Sequence, residues 1–112
     1  MSHTPLTNYL RTHRRRTGLS QSDVAALLGA RSGALVSRHE TGERRPVLRT
    51  AIAYEIVLGI SIRRIYAGIH SKLATNVRVR ATRMLVRLEE RPRTALRDQK
   101  MASIRRILEA DM

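Results

Sequence analysis

The residues best equipped for chemistry in this chain lie in one run, Leu28-Gly29-Ala30-Arg31-Ser32-Gly33-Ala34-Leu35-Val36-Ser37-Arg38-His39-Glu40-Thr41-Gly42-Glu43-Arg44-Arg45-Pro46. Arg38 stands among small residues. Its guanidinium is a planar fork of N–H donors that grips two acceptors at once, as on a phosphate or the O6 and N7 edge of guanine. Arg44 and Arg45 precede Pro46, and the residue before a proline is pushed out of the α region, so this is a turn. Catalytic chemistry finds nothing comparable. No Gly-rich loop has phosphate-cradling spacing, no nucleophile is marked out beside a base, and Glu89-Glu90 is a routine charge feature at a helix end. The four His are far apart, with no acidic or His partner at ligand spacing. Neither a metal nor a cofactor is expected, and the chain reads as a binding protein, not an enzyme.

Composition says what must position these residues. A length of 112 residues allows one small domain, or one domain with an appendage. Aromatics are only 3%, without Phe or Trp, so a core must come from aliphatic residues and Met, with three Tyr. Such a composition favours helices. The net charge is +13, with 11 basic and 4 acidic side chains in residues 1–68 and 11 and 5 in residues 69–112. The excess is therefore no detachable tail. Self-repulsion of that size disfavours a compact state unless a polyanion is the usual companion, and nucleic acid leads an acidic membrane surface or a protein partner. Absence of Cys rules out disulfides. No apolar run approaches the ~18–20 residues of a membrane span, and no signal-peptide h-region is present, so a cytoplasmic protein is expected.

Along the chain, apolar residues recur at helical spacing from Leu6 to Arg16, and Gly18 closes that helix. Ser20, with Asp23 three residues on, opens a second helix bearing Val24, Ala25, Leu27 and Leu28 and ending at Gly29. Ser32 opens a third, with Leu35 and Val36 on its apolar side and Gly42 at its end. A fourth covers about Leu48–Leu58. Ser61 caps a fifth, Ile62–Ala67, stopped by Gly68. From Ile69 to about Glu89, Ile69, Leu73, Val77, Met84, Leu85 and Leu88 follow three- and four-residue steps, and after Pro92 a last helix covers about Thr94–Ala110.

Two short helices joined by a Gly-containing turn, the second ending in Gly and basic residues, have the layout of a helix-turn-helix unit. Ala25 is small enough for close helix approach, Gly29 permits a positive-φ turn, and Val36 anchors the third helix. Gly33, Ala34, Ser37, Arg38 and Thr41 are then expected to face outward. On these residues the chain resembles the Cro/phage-repressor or XRE-type helix-turn-helix family. The matching positions are Arg14, Thr17-Gly18-Leu19-Ser20-Gln21, Val24-Ala25, Leu27-Leu28-Gly29, Val36-Ser37-Arg38, Glu40, Gly42, Pro46 and Leu58-Gly59-Ile60-Ser61. They cover roughly residues 6–68.

The helical pattern implies an all-α fold and the resemblance a five-helix repressor-like DNA-binding domain over residues 1–68, while the C-terminal two-helix extension over 69–112 lies outside the shared pattern. The resemblance implies double-stranded DNA as partner, with the third helix in the major groove. Gln21, Arg44 and Arg45 would take phosphates, and Arg31, Ser32, Gly33, Ala34, Ser37, Arg38 and Thr41 would lie along the DNA face. Arg14 and Glu40 would form a structural ion pair. Three departures accompany it. The turn between Gly29 and Val36 is one residue longer than the commonest pattern, Val47 replaces a capping Ser or Thr, and His39 replaces an apolar or aromatic residue and is expected to be half-buried packing.

Function follows as a sequence-specific transcriptional regulator, nucleoid-associated when on DNA and a homodimer through 69–112. The alternative is a DNA-binding antitoxin or adaptor whose C-terminal helices hold a separate protein. Packing of the hairpin on its own domain, and contact of Arg78, Arg80, Arg83 and Arg87 with DNA beyond the core site, also stay open.

Overall fold

The computed structural model describes residues 8–110, so Leu6 lies outside the described residues. Among them the secondary structure is seven helices without a strand: α1 (Leu10–Thr17), α2 (Gln21–Leu28), α3 (Gly33–Thr41), α4 (Leu48–Leu58), α5 (Ile62–Ile65), α6 (Ala67–Glu89) and α7 (Ala95–Glu109). The chain divides into two compact units, residues 1–68 and 69–112.

The first unit is built around seven buried side chains contributed by all five of its helices: Leu10, Val24, Ala25, Val36, Tyr54, Leu58 and Ile65. Short helices are marginal alone, so packing and capping must hold them. Ser20 caps α2 with a reciprocal box, its hydroxyl accepting from the Asp23 N–H while the Asp23 carboxylate accepts from the Ser20 N–H. Asp23 is thereby held below the ordinary carboxylate pKa. Ser32 caps α3, its hydroxyl accepting from the Ala34 N–H at 3.3 Å. Val47 begins α4 with no side-chain cap.

Local chemistry moves three expected boundaries and exposes one expected core residue. α1 starts at Leu10, because the Tyr9 N–H donates to the Ile65 carbonyl and the Asn8 amide oxygen accepts from the Leu10 N–H. α5 stops at Ile65, not at Gly68. Tyr66, at φ −111°, makes the bend and donates its N–H to the Ile62 carbonyl, while Gly68 enters the first turn of α6. Leu27 is 62% exposed. With Val24 and Ala25 both buried, the buried arc of α2 is centred between them, and Leu27 points about 110° away.

In the second unit α6 and α7 run antiparallel. Ala81, Leu88 and Met101 are buried, and Thr94 caps α7 by accepting from the Arg97 N–H. The Arg97 guanidinium donates to the Leu88 and Glu89 carbonyls at 2.7 and 3.3 Å, joining the Arg91 N–H at Leu88 in closing the end of α6. Arg78 donates to the Ala110 carbonyl at the other end. No helix among the described residues is long and apolar enough to cross a membrane.

Candidate nucleic-acid interface

The site is the α2–turn–α3 pair and the basic loop after it. Gly29 ends α2 at φ 76° and Gly42 ends α3 at φ 79°, a left-handed backbone that glycine adopts without a Cβ clash. Between them α3 is pressed against the start of α2. A Cβ on Gly33 would lie 3.2 Å from the Gln21 Cβ and from the Ser22 backbone nitrogen. This corrects the expectation that Gly33 faces outward. Its hydrogen face is what lets the two helices touch, beside the wholly buried Ala25.

Below that contact lies a charged clamp. The Arg14 guanidinium donates to both oxygens of Glu40, Nε to Oε2 at 2.6 Å and Nη2 to Oε1 at 3.2 Å, and Nη1 reaches the Leu19 carbonyl at 3.0 Å. The side chains are only 12% and 3% exposed. The hydrogen bond to Glu40 raises the Arg14 pKa against the opposing pull of desolvation. Gln21 joins from α2, its Nε2 donating to Glu40 Oε1 at 3.1 Å. One amide hydrogen of Gln21 is thus spent inside the protein, and the side chain is half-buried. The clamp fixes α1, α2 and the end of α3 to one another.

On the far side of Glu40's helix the side chains are open to solvent. Ala34 and Arg38 on α3 are exposed, as are Arg31 and Ser32 in the turn and Arg44 and Arg45 in the loop; Ser37 is half-buried. Thr41 is exposed as well, but its hydroxyl donates to the Arg38 carbonyl and accepts from the Glu43 N–H. Its O–H donor is used within the chain, at the close of the helix. The Arg44 N–H also returns to the Arg38 carbonyl, at 3.2 Å, so the basic loop is tied to the end of α3.

Residues 5–59 match the family model described as a helix-turn-helix domain. The segment is a helix-turn-helix domain. Its family is one of XRE-like DNA-binding domains. Searches of curated proteins and of solved structures found no match to the chain.

Behind the helix-turn-helix lies a polar core that sequence reasoning only partly reached. His39 is 3% exposed, deeper than the half-burial expected, and its Nδ1 is 2.7 Å from the Tyr54 hydroxyl in an edge-on ring contact. The Asn8 amide donates to the His39 carbonyl at 2.8 Å. Burial, then the charge of Arg44, holds His39 below the ordinary imidazole pKa. Burial, then Arg16 and Arg64, does the same for His13. Burial likewise raises the phenols of Tyr54 and Tyr66, the latter to about 12. The Tyr66 hydroxyl is buried without a hydrogen-bond partner among the described residues. No periodicity rule announces Asn8 or the His39–Tyr54 pair, since each depends on contacts at least 15 residues apart. Among the described residues no group of three or more His, Asp or Glu is placed to hold a metal ion.

Proposed function

We propose that this chain is a sequence-specific double-stranded DNA-binding transcriptional regulator that reads the major groove with α3. The observation that carries the reading is the isolated guanidinium of Arg38. It is exposed on the outer side of α3, with no hydrogen bond or ion pair among the described residues, while Glu40 one turn-half away is locked inward by Arg14. Arg38 supplies the bidentate base contact. Arg31, Arg44, Arg45, the Ser32 hydroxyl and the remaining amide hydrogen of Gln21 set the register on phosphates. Ala34 and Ser37 are modest base readers, so sequence-dependent DNA shape contributes much of the specificity.

A regulator of this kind gains by duplication on two half-sites ~34 Å apart, and the second unit offers the apolar surface. Leu73, Val77 and Met84 on α6 are 57, 44 and 43% exposed, which supports a homodimer formed through this stripe. A second reading, a DNA-binding antitoxin or adaptor, is favoured by one feature of the same unit. An open cleft of about 610 Å³ has an apolar floor that includes Met84, Leu88, Leu96 and Ile104, with Arg87 and Arg91 at its edge. Light scattering separates the two: a stable dimer of the pure chain supports the regulator, and a monomer supports the partner-binding protein.

Selection on random duplex DNA at 150 mM salt (about an 8 Å Debye length) tests the main claim. Enrichment of a motif containing guanine in each half-site is expected. Recovery of unenriched sequence at any number of rounds sinks it.

A further inference from the structure

The second unit carries as many basic side chains as the first, and the helix-turn-helix uses none of them. Three have partners within the unit, among them Arg93, which donates to the Asp98 carboxylate at 3.4 Å. Arg97 closes the end of α6 and Arg78 binds the Ala110 carbonyl. Arg80, Arg83 and Arg87 have no such partner. All three are exposed, and none has a hydrogen bond or ion pair among the described residues. Lys72 shares that condition.

These four are not scattered. At 3.6 residues per turn they fall within about 80° of one another around α6, along a row about 22 Å long. The helix has no Asp or Glu before Glu89 at its last position, so no carboxylate of its own neutralises the row. Arg80, Arg83 and Arg87, with Thr82 and Val86, also line a shallow cleft of about 510 Å³. Three guanidiniums around one depression repel each other in water and have no internal compensation.

We propose that the outer face of α6 is a second DNA-binding surface, a phosphate-tracking row of Lys72, Arg80, Arg83 and Arg87 that grips duplex backbone without reading sequence. The proposal rests on duplex DNA being the partner of the helix-turn-helix. Backbone phosphates present a charge every ~1.7 Å of duplex axis, so a 22 Å cationic row meets several at once. A lipid surface fits less well. Exposed apolar residues flank the row on both sides, Val79 and Val86 on one and Leu73, Met84 and Val77 on the other, but none is the Trp or Phe that anchors interfacial helices. DNA held by the first unit is moreover present at high effective concentration for the second, because the two are on one chain.

The test uses the full chain with all three arginines changed, Arg80→Gln, Arg83→Gln and Arg87→Gln, on a selected duplex and on a random duplex between 50 and 300 mM salt. The slope of log K against log salt should fall by about 2.7, from ~0.9 per phosphate contact, and affinity should drop roughly 100-fold on both duplexes at low salt. The preference for the selected duplex should not change. Arg→Lys at the same three positions should restore the slope, since phosphate accepts a point charge. Removing Lys100, Arg105 and Arg106 from α7 instead should leave the slope nearly unaltered. An equal loss for the α7 set would overturn the proposal by reducing it to net charge, and an unchanged slope in the α6 set would overturn it outright, leaving the row to an acidic protein. Steep salt dependence without sequence preference in the parent chain would sink the regulator reading alone. If the triple variant unfolds, Arg83→Gln by itself should still remove about 0.9 from the slope.

Discussion

The guanidinium of Arg14 and the carboxylate of Glu40 meet edge to edge, two parallel N–H···O bonds of 2.6 and 3.2 Å joining residues 26 apart in sequence. The pair is nearly out of water, and the third donor of Arg14 is also satisfied, by the Leu19 carbonyl. A buried ion pair gains little over an apolar pair of equal shape, but losing one partner strands the other. Arg14→Ala or Glu40→Ala should therefore cost about 3–5 kcal/mol by urea unfolding, and Arg14→Met with Glu40→Leu much less than the sum of the two. Additive losses in the double variant would show that the two side chains do not act as a unit.

Gly33 inverts the ordinary rule for helices. Replacing a helical Gly by Ala usually stabilises by roughly 0.5–1 kcal/mol. Here the new methyl would press on the Gln21 Cβ and the Ser22 backbone nitrogen, both at 3.2 Å and neither the free end of a side chain. Overpacking of about 1–3 kcal/mol outweighs the gain, so Gly33→Ala should lower the thermal midpoint and Gly33→Val should lower it further. A rise for Gly33→Ala would mean that α2 yields.

The division of labour on DNA is measurable at two arginines. Arg38→Ala should relax preference at one base pair by roughly 1–3 kcal/mol per half-site, read from competition among single-base operator variants. Arg45→Ala should weaken all sequences alike and flatten the salt slope by about 1. Identical profiles for the two variants would end that assignment.

Acid should destabilise the first unit from near neutrality. His13 and His39 both have pKa values lowered in the fold, each chiefly by burial. Below the unfolded imidazole value of about 6.5 the unfolded chain binds protons that the folded chain refuses. Stability is thus complete above that pH and declines as pH falls from about 7 to 5. Differential scanning calorimetry across this window should show a falling midpoint, with a shallower fall in His39→Asn. A midpoint independent of pH between 7 and 5 would contradict the burial of both rings.

The Tyr66 hydroxyl is the one buried side-chain polar atom without a partner among the described residues. Leaving such a group unsatisfied costs about 1–3 kcal/mol. Tyr66→Phe should keep the packing and raise stability by up to about 1 kcal/mol. A loss of similar size would reveal a bound water that the hydroxyl holds.

The readable parts of this molecule were those written in adjacent letters. Ser20 with Asp23 and Ser32 ahead of α3 declare helix starts, and Gly18, Gly29, Gly42 and Gly59 declare ends, because caps are local chemistry; all four glycines have positive φ. Arg14 and Glu40 came only through resemblance to a family, since nothing in their spacing announces a contact across 26 residues. Gly68 misled for the complementary reason. A glycine permits a helix end without requiring one, and Tyr66 had already turned the chain. Gly33 looked outward because an absent side chain carries no periodic signal, and only the approach of Gln21 and Ser22 shows which way it faces.

The grip of Arg97 on the Leu88 and Glu89 carbonyls spans only eight or nine residues, whereas the clamp at Glu40 spans 26. Short loops close at little entropic cost, and topologies rich in near-neighbour contacts assemble quickly. The two halves of this chain should accordingly reach the native state in sequence, the carboxy-terminal hairpin ahead of the amino-terminal bundle. Pulse-labelled hydrogen exchange during refolding should protect amides of α6 and α7 before those of α3.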